Sequence, residues 1–313
     1  MIDLHTHSTA SDGTDTPAQV MKVAAAAGLT VVALTDHDTT AGWAEAAAAA
    51  DLGGIALVRG MEISAHALVG GRPVGVHVLA YLHDPGHAGL RAELDRTRTS
   101  RATRAERMAG LLAEDYPITW EDVLAQTEPG TTIGRPHLAD ALVAAGVVAD
   151  RDEAFATMLR TGSRYYAPHY APDAAEVVRL VREAGGVPVF AHPGADGRGR
   201  IVPDETIAEL AAAGLAGLEV AHRDHEERTR QRLSALAEEL GLLVTGSSDY
   251  HGRGKTNRIG ENTTSPEALA EIETQGALPV LWPDSPGGGV ADATEASSRG
   301  GGATSGSGAG EQA

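Results

Sequence analysis

GLTVVALTDHD, residues 28–38, carries the reading that decides the fold: a glycine that closes the preceding segment, an apolar β-branched run, and three chemistry-bearing side chains directly after it. The Ala-rich segment before it opens with Thr16-Pro17, an N-cap followed by proline in the first turn, so a helix is predicted from there to Gly28. A short strand without polar alternation is buried on both faces, as in a parallel sheet covered by helices. The same alternation recurs outward from this stretch. Strands are predicted at residues 1–4, 30–35, 55–59, 74–82, 187–191, 215–221 and 242–246, with the later three each following a helical segment. The pattern implies an α/β fold built from βα units on a mostly parallel sheet of seven strands.

Between residues 93 and 168 the alternation stops. One long Arg-rich helix through Leu112 is expected, then helical pieces near Trp120, at 136–145 and at 152–159, forming a helical insertion between barrel segments 1–92 and 169–283. The run Arg91, Arg96, Arg98, Arg101, Arg104 and Arg107 is interrupted by Glu93, Asp95 and Glu106, which reads as a solvated helix face rather than an RNA-tracking one. Trp43, Trp120 and Trp282 read as packing residues, because few other large aromatics are present to fill the core. Residues 284–313 are Gly-, Ser- and Ala-rich and read as a disordered tail.

The composition narrows the chemistry. Of 313 residues, 25 are Lys or Arg and 43 are Asp or Glu, a formal charge of −18 that argues against binding long nucleic acid but leaves a small anionic substrate open. There is no Cys, so any metal must sit on His and carboxylates. No secretory leader and no apolar run of about 18 residues is apparent, so no membrane role and a cytoplasmic location are expected. Nothing in the sequence sets an oligomeric state.

Polar residues fall at strand ends. His5 and His7 are two apart and share a side of an extended segment; Asp36, His37 and Asp38 follow the second strand, Glu62 the third, His192 the fifth, and Asp249 and His251 the last, while His77 lies inside its own strand. In a parallel barrel the C-terminal strand ends converge on one face. A lone buried histidine is ordinarily a hydrogen-bonded core residue, but six imidazoles with Asp12, Glu62 and Asp249 on one face would carry uncompensated polarity without a bound cation. Imidazole and carboxylate without sulfur suit Zn, Mn or Fe.

Asp3-Leu4-His5-Thr6-His7-Ser8, Thr35-Asp36-His37-Asp38, Gly60-Met61-Glu62-Ile63-Ser64, Ala191-His192-Pro193 and Ser248-Asp249-Tyr250-His251, in this order, resemble the motifs of the polymerase and histidinol phosphatase (PHP) family of metal-dependent phosphoesterases. The resemblance implies a distorted seven-stranded β/α barrel with two or three divalent metal ions. It places His5, His7, Glu62 and Asp249 on a first ion, with Glu62 bridging to a second held by His77 and His192, and Asp12, His37 and His251 on a third. Asp12 stands where histidinol phosphatases of the family tend to have His. The chain is thus more similar to the subgroup of nucleoside 3′,5′-bisphosphate phosphatases and short-RNA 5′→3′ exonucleases, which also carry a helical insertion.

Gly134-Arg135-Pro136-His137 and the region from Glu219 to His225 resemble that subgroup too, making Arg135, His137 and His225 substrate-pocket candidates, with Lys255 as a further phosphate contact. The implied reaction is hydrolysis of a phosphate monoester of a small nucleotide by metal-bound hydroxide, with Arg135 clamping a second phosphate and Asp36 and Asp38 orienting ligand imidazoles or water. Three divalent ions against three carboxylates leave about +3, so phosphate would be drawn in despite the net charge. Exonuclease action on short 5′-phosphorylated RNA is the alternative, and histidinol phosphatase activity a lesser one. A non-catalytic metal-binding PHP module would have lost ligands, whereas all nine positions hold competent residues.

Overall fold

The computed structural model describes residues 1–283, apart from the side chain of Arg198, and the expected tail at 284–313 lies outside the described residues. Seven strands form a single sheet in sequence order: β1 (Ile2–Asp3), β2 (Val31–Leu34), β3 (Ala56–Val69), β4 (Arg72–Tyr81), β5 (Val187–Phe190), β6 (Gly217–Ala221) and β7 (Leu243–Gly246). A parallel bridge between Thr6 and Tyr250, with the His7 N–H donating to the Tyr250 carbonyl at 2.8 Å, draws the two ends of the sheet together. The result is a distorted β/α barrel.

Helices α1 (Pro17–Ala26) and α2 (Trp43–Gly53) cover the first strands. Alternation along β2 explains why: Val32 and Leu34 pack with Val20, Met21, Ala46 and Ala50 of those helices, while Val31 and Ala33 join an interior cluster with Ile2, Val58, Tyr81 and Val189. Thr16 caps α1 in a reciprocal box with Gln19, and Gly28 follows the helix at φ 79°. α7 (Ala174–Glu183), α8 (Asp204–Ala212), α9 (Glu227–Leu240) and α10 (Pro266–Gln275) complete the covering layer.

β3 differs from its predicted form. It does not stop at Arg59 but runs on to Val69, turns through Gly70 and Gly71, both at positive φ, and returns as β4. Positive φ at both central residues is the two-residue hairpin geometry that glycine supplies without strain. β4 therefore pairs antiparallel with both β3 and β5, and the other four pairings are parallel. Along the hairpin Met61, Ile63, Val76 and Val78 face the outer cluster under α7. The period of two places Glu62 on the same face as Ala56 and Val58, and His77 on the same face as Leu79 and Tyr81, which is the barrel interior.

α3 (Ala88–Ala113), α4 (Trp120–Leu124), α5 (Arg135–Ala144) and α6 (Arg151–Thr157) enclose an apolar cluster of their own, including Met108, Leu112, Val123, Leu138 and Leu142, with Trp120 packed against it. The Arg-rich helix is not solvated all along its basic face, because Arg101 and Arg104 are buried at 6% and 7% exposure. Trp43 is buried, donating Nε1–H to the Gly60 carbonyl at 2.8 Å. Trp282 departs from its expected packing role: it is exposed, with Nε1 donating to Glu273.

Candidate metal centre

Glu62, lifted to the barrel mouth on the interior face of β3, is the hub. Its Oε2 lies 3.1 Å from His5 Nε2, 3.0 Å from His7 Nε2 and 3.3 Å from His37 Nδ1, and its Oε1 lies 2.7 Å from His77 Nδ1 and 3.0 Å from His192 Nε2. Asp249 Oδ1 stands 3.5 Å from both His5 Nε2 and His7 Nε2, and those two nitrogens are 3.0 Å apart. Asp12 reaches His251 Nε2 at 3.2 Å and His37 Nε2 at 3.7 Å. Three sets of donors converge closely enough to hold an ion each: His5, His7, Glu62 and Asp249; His7, Asp12, His37 and His251; and His37, Glu62 and His77.

The grouping differs in detail from the implied one, since His7 also belongs to the Asp12 set and His37 to the set of Glu62 and His77. His192 enters through its contact with Glu62 Oε1. Two of these positions are held in the left-handed region, His192 at φ 33° and Asp249 at 54°, as is the nearby Asp38 at 54°. Such conformations cost about 1–3 kcal/mol each and survive where the surroundings over-determine them. Gly13 lets the loop carrying Asp12 close, because a Cβ there would meet the His7 carbonyl oxygen at 2.5 Å.

The donor set fits divalent cations. Among the described residues, His37 Nδ1 and His251 Nε2 are buried without a hydrogen-bond partner, although carboxylates stand nearby. His251 Nδ1–H donates to the Asp249 carbonyl at 2.8 Å, and His5 Nδ1 meets Glu219 Oε1 at 3.0 Å, which turns both Nε2 lone pairs toward the centre. The titration pattern points the same way. Burial opposes charge on His5, but Glu62, Glu219 and Asp249 outweigh it and hold its pKa well above the ordinary range; His7 rises to about 9 against burial because of Asp249 and Glu62. Burial presses His251 down to about 4 and His37 well below its ordinary value. Asp12 and Glu62 stay ionised, with pKa values held well below normal by the surrounding imidazoles despite burial. The raised His5 and His7 values register the negative field of these carboxylates, which favours positive charge at this point.

The other expected site residues sit around this cluster in varied roles. Asp36 accepts from Ser8 N–H at 2.8 Å, Ser8 Oγ at 2.7 Å and Ser11 Oγ at 2.7 Å, fixing the loop that leads to Asp12. Asp38 accepts from Ser64 N–H at 2.7 Å and from Arg101 Nη1 at 3.0 Å. Neither carboxylate hydrogen-bonds a ligand imidazole, so both anchor backbone rather than orient rings. Lys255 Nζ donates to Asp249 Oδ2 at 2.8 Å. His225 braces two loops, donating Nδ1–H to the Val220 carbonyl at 2.8 Å and accepting the Gly194 N–H at Nε2, 3.0 Å away, so neither ring nitrogen is left for a substrate. His137 accepts the Gly134 N–H at 3.0 Å in the first turn of α5. Arg135 donates to the Leu159 carbonyl at 3.0 Å and lies over the Phe155 ring.

Two residues at the site carry no role in the sequence reading. Glu219 is fully buried on the interior face of β6, where it meets His5, accepts the His192 N–H at 2.7 Å and accepts from Ser247 Oγ. Burial opposes its charge, yet His5 and its hydrogen bond hold its pKa far below normal. A lone carboxylate inside an otherwise apolar strand was the available signal. His222, just past β6, is fully buried, accepts the Asp224 N–H at Nδ1 and points Nε2 toward Asp249 Oδ2, 3.6 Å away.

Comparison with known proteins agrees with this geometry. Residues 3–116 match the PHP domain family. A 3′,5′-nucleoside bisphosphate phosphatase of Chromobacterium violaceum is 36% identical over 90% of this chain and 98% of its own length. A phosphoribosyl 1,2-cyclic phosphate 1,2-diphosphodiesterase of Eggerthella lenta is 34% identical over 82% of this chain and 97% of its own. A crystal structure from Bifidobacterium adolescentis, described as a metal-dependent phosphoesterase, superposes with a TM-score of 0.85 at 46% identity, covering 88% of this chain and 96% of that one. The chain belongs to the PHP family and is a metal-dependent phosphoesterase.

Proposed function

We propose that the protein is a phosphomonoesterase that removes one phosphate from a nucleoside 3′,5′-bisphosphate, using two or three divalent ions held by His5, His7, Asp12, His37, Glu62, His77, His192, Asp249 and His251. The observation that carries it is the Glu62 carboxylate, both of whose oxygens meet imidazole nitrogens from separate parts of the chain. Ions at this position lower the pKa of water and neutralise phosphoryl oxygens. The chain's own part is geometric. Glu62 spans two adjacent sites, Glu219 and the Asp249 carbonyl fix the tautomers of His5 and His251, and Asp36 with Ser8 and Ser11 holds the Asp12 loop. Donors of N and O type without sulfur suit Mn, Zn or Fe. Residues 93–168 are read as an insertion that brings Arg101, Arg104 and Arg135 to the mouth.

The similarity to a bisphosphate phosphatase over nearly its whole length supports the substrate class. A second reading, hydrolysis of a phosphodiester, is favoured by the similarity to a cyclic-phosphate diphosphodiesterase. Phosphate release is measured from adenosine 3′,5′-bisphosphate, AMP, histidinol phosphate and a 5′-phosphorylated trinucleotide, with added Mn and with chelator. Chelator-sensitive release that favours the bisphosphate is expected. Stepwise mononucleotide release from the trinucleotide would move the assignment to a diesterase, and no turnover with metal bound would overturn both.

A further inference from the structure

The donors around Glu62 come from strands or their ends, whereas Asp12 hangs on a loop. His5 and His7 follow β1, and Glu62 and His77 lie within β3 and β4. Residues 8–15 form neither strand nor helix. Part of their order is internal, since the N–H groups of Ser11 and Gly13 both donate to the Ser8 carbonyl at 3.0 Å. The helical segment 93–168 adds three further bonds, each to a carbonyl of this loop. The Thr132 N–H donates to Ala10 at 3.1 Å, Thr131 Oγ1 donates to Thr9 at 2.9 Å, and Arg151 Nη1 donates to Asp12 itself at 3.0 Å.

Arg151, the first residue of α6, reaches Asp12 from a fixed platform. Its Nε and Nη2 donate to Asp140 Oδ1 and Oδ2 of α5 at 2.7 and 2.6 Å, and its side chain is 13% exposed. Two-point pairing sets the plane of the guanidinium, so the direction of the remaining N–H toward Asp12 is set with it. The same guanidinium lies against the backbone that follows His251. A Cβ on Gly254 would run into it, and the Gly254 N–H donates to the His251 carbonyl at 3.1 Å. Arg151 therefore touches both loops whose side chains, Asp12 and His251, face each other at 3.2 Å. An ion pair that merely joined α5 to α6 would need neither contact. We propose that Arg151, held by Asp140, is a positioning residue for the ion site of His7, Asp12, His37 and His251, fixing the spacing of Asp12 and His251 and so tying the affinity of this one site to the helical segment. The inference rests on the metal-ion reading above and adds what controls one site independently of the others.

Mn binding to the chelator-stripped full chain, followed by the electron paramagnetic resonance signal of free Mn, is compared for wild type, Asp12→Asn, Arg151→Met, Arg151→Lys and the double variant of Asp12→Asn with Arg151→Met. Asp12→Asn marks the equivalent that belongs to the loop. Arg151→Met is expected to weaken that same equivalent about 10- to 100-fold, the range for a group that orients a ligand, and to leave the others at wild-type affinity. Arg151→Lys, which keeps the charge without the fork, is expected to fall between. In the double variant the two losses are less than additive, because both act on one ion. Equal weakening of every equivalent, or unchanged Mn binding with only a lower urea midpoint, reduces Arg151 to a structural ion pair and overturns the proposal. Asp12→Asn without effect on Mn binding removes the loop site and overturns it as well, while ions at Glu62 remain. Wild type that binds no Mn overturns the metal-ion reading itself. Should Arg151→Met not fold, Asp140→Asn, which releases the guanidinium from its platform, is expected to weaken the same equivalent by a smaller factor, and unchanged binding in that variant overturns the proposal.

Discussion

The barrel mouth and the buried face of α3 solve opposite electrostatic problems a short distance apart. At the mouth Asp12, Glu62, Glu219 and Asp249 are buried among imidazoles, and they hold the pKa values of His5 and His7 above the ordinary range. On α3, Arg101 and Arg104 are buried with Asp38 as their carboxylate contact. Each region buries charge that the protein alone compensates incompletely, which is expensive unless a ligand completes it. The difference in sign is the lesson: carboxylates and imidazoles suited to cations gather at the mouth, and guanidiniums gather on the helical face.

The comparison can be broken most severely at its hub. Glu62→Gln removes a charge shared by five imidazoles, and its metal affinity is expected to fall by more than the ~10- to 100-fold typical of an outer-shell partner, with turnover lost in proportion. Metal content after dialysis and phosphate release check this. Next comes the tie between the two regions. Arg101→Met leaves Asp38 buried and unpaired, and denaturant unfolding should report a loss of about 3–5 kcal/mol. A loss below about 1 kcal/mol would mean that the ion pair does not hold α3 to the mouth.

Glu219→Gln sharpens the picture of the mouth. It weakens the contact that orients His5, so about 10- to 100-fold is expected from metal affinity measured by competition with a chelator, with little change in protein stability. The smallest effect belongs to a buried imidazole outside both regions. His83 is fully buried, packs against Trp43 and has no partner for Nε2 among the described residues, and burial lowers its pKa to about 4. The unfolded chain binds a proton near pH 6.5 where the folded one does so only near 4. Wild type therefore loses stability as pH falls from 6.5 to 4, and His83→Phe should flatten that limb by about 2 kcal/mol at pH 5. Thermal unfolding at pH 5 and pH 7.5 measures the difference.

Much of the architecture was readable from residues 28–38 outward, because apolar runs ending in polar clusters leave few arrangements other than a barrel with its chemistry at one mouth. Each of the seven strands overlaps an apolar run that predicts it, although β3 continues well past Arg59 to Val69. The hairpin was harder. Gly60 looked like an end, yet the alternation Glu62, Ser64 against Ile63, Ala65 continues through it, and only the Gly70-Gly71 turn reverses the direction. The burial of Arg101 and Arg104 was not legible, since it depends on α3 crossing the mouth opposite Asp38, a contact between residues 63 apart. Glu219 stood in a quoted stretch without a role, because its partners His5 and Ser247 come from distant strands.

The account rests on cations held around Glu62. Metal content per chain, measured by mass spectrometry on protein purified without chelator and on Glu62→Gln prepared alongside, tests it most directly. Two or three equivalents of Mn, Zn or Fe in wild type, falling sharply in the variant, are expected. Wild type that binds less than one equivalent even after incubation with each metal, or a variant that retains the full complement, would contradict it.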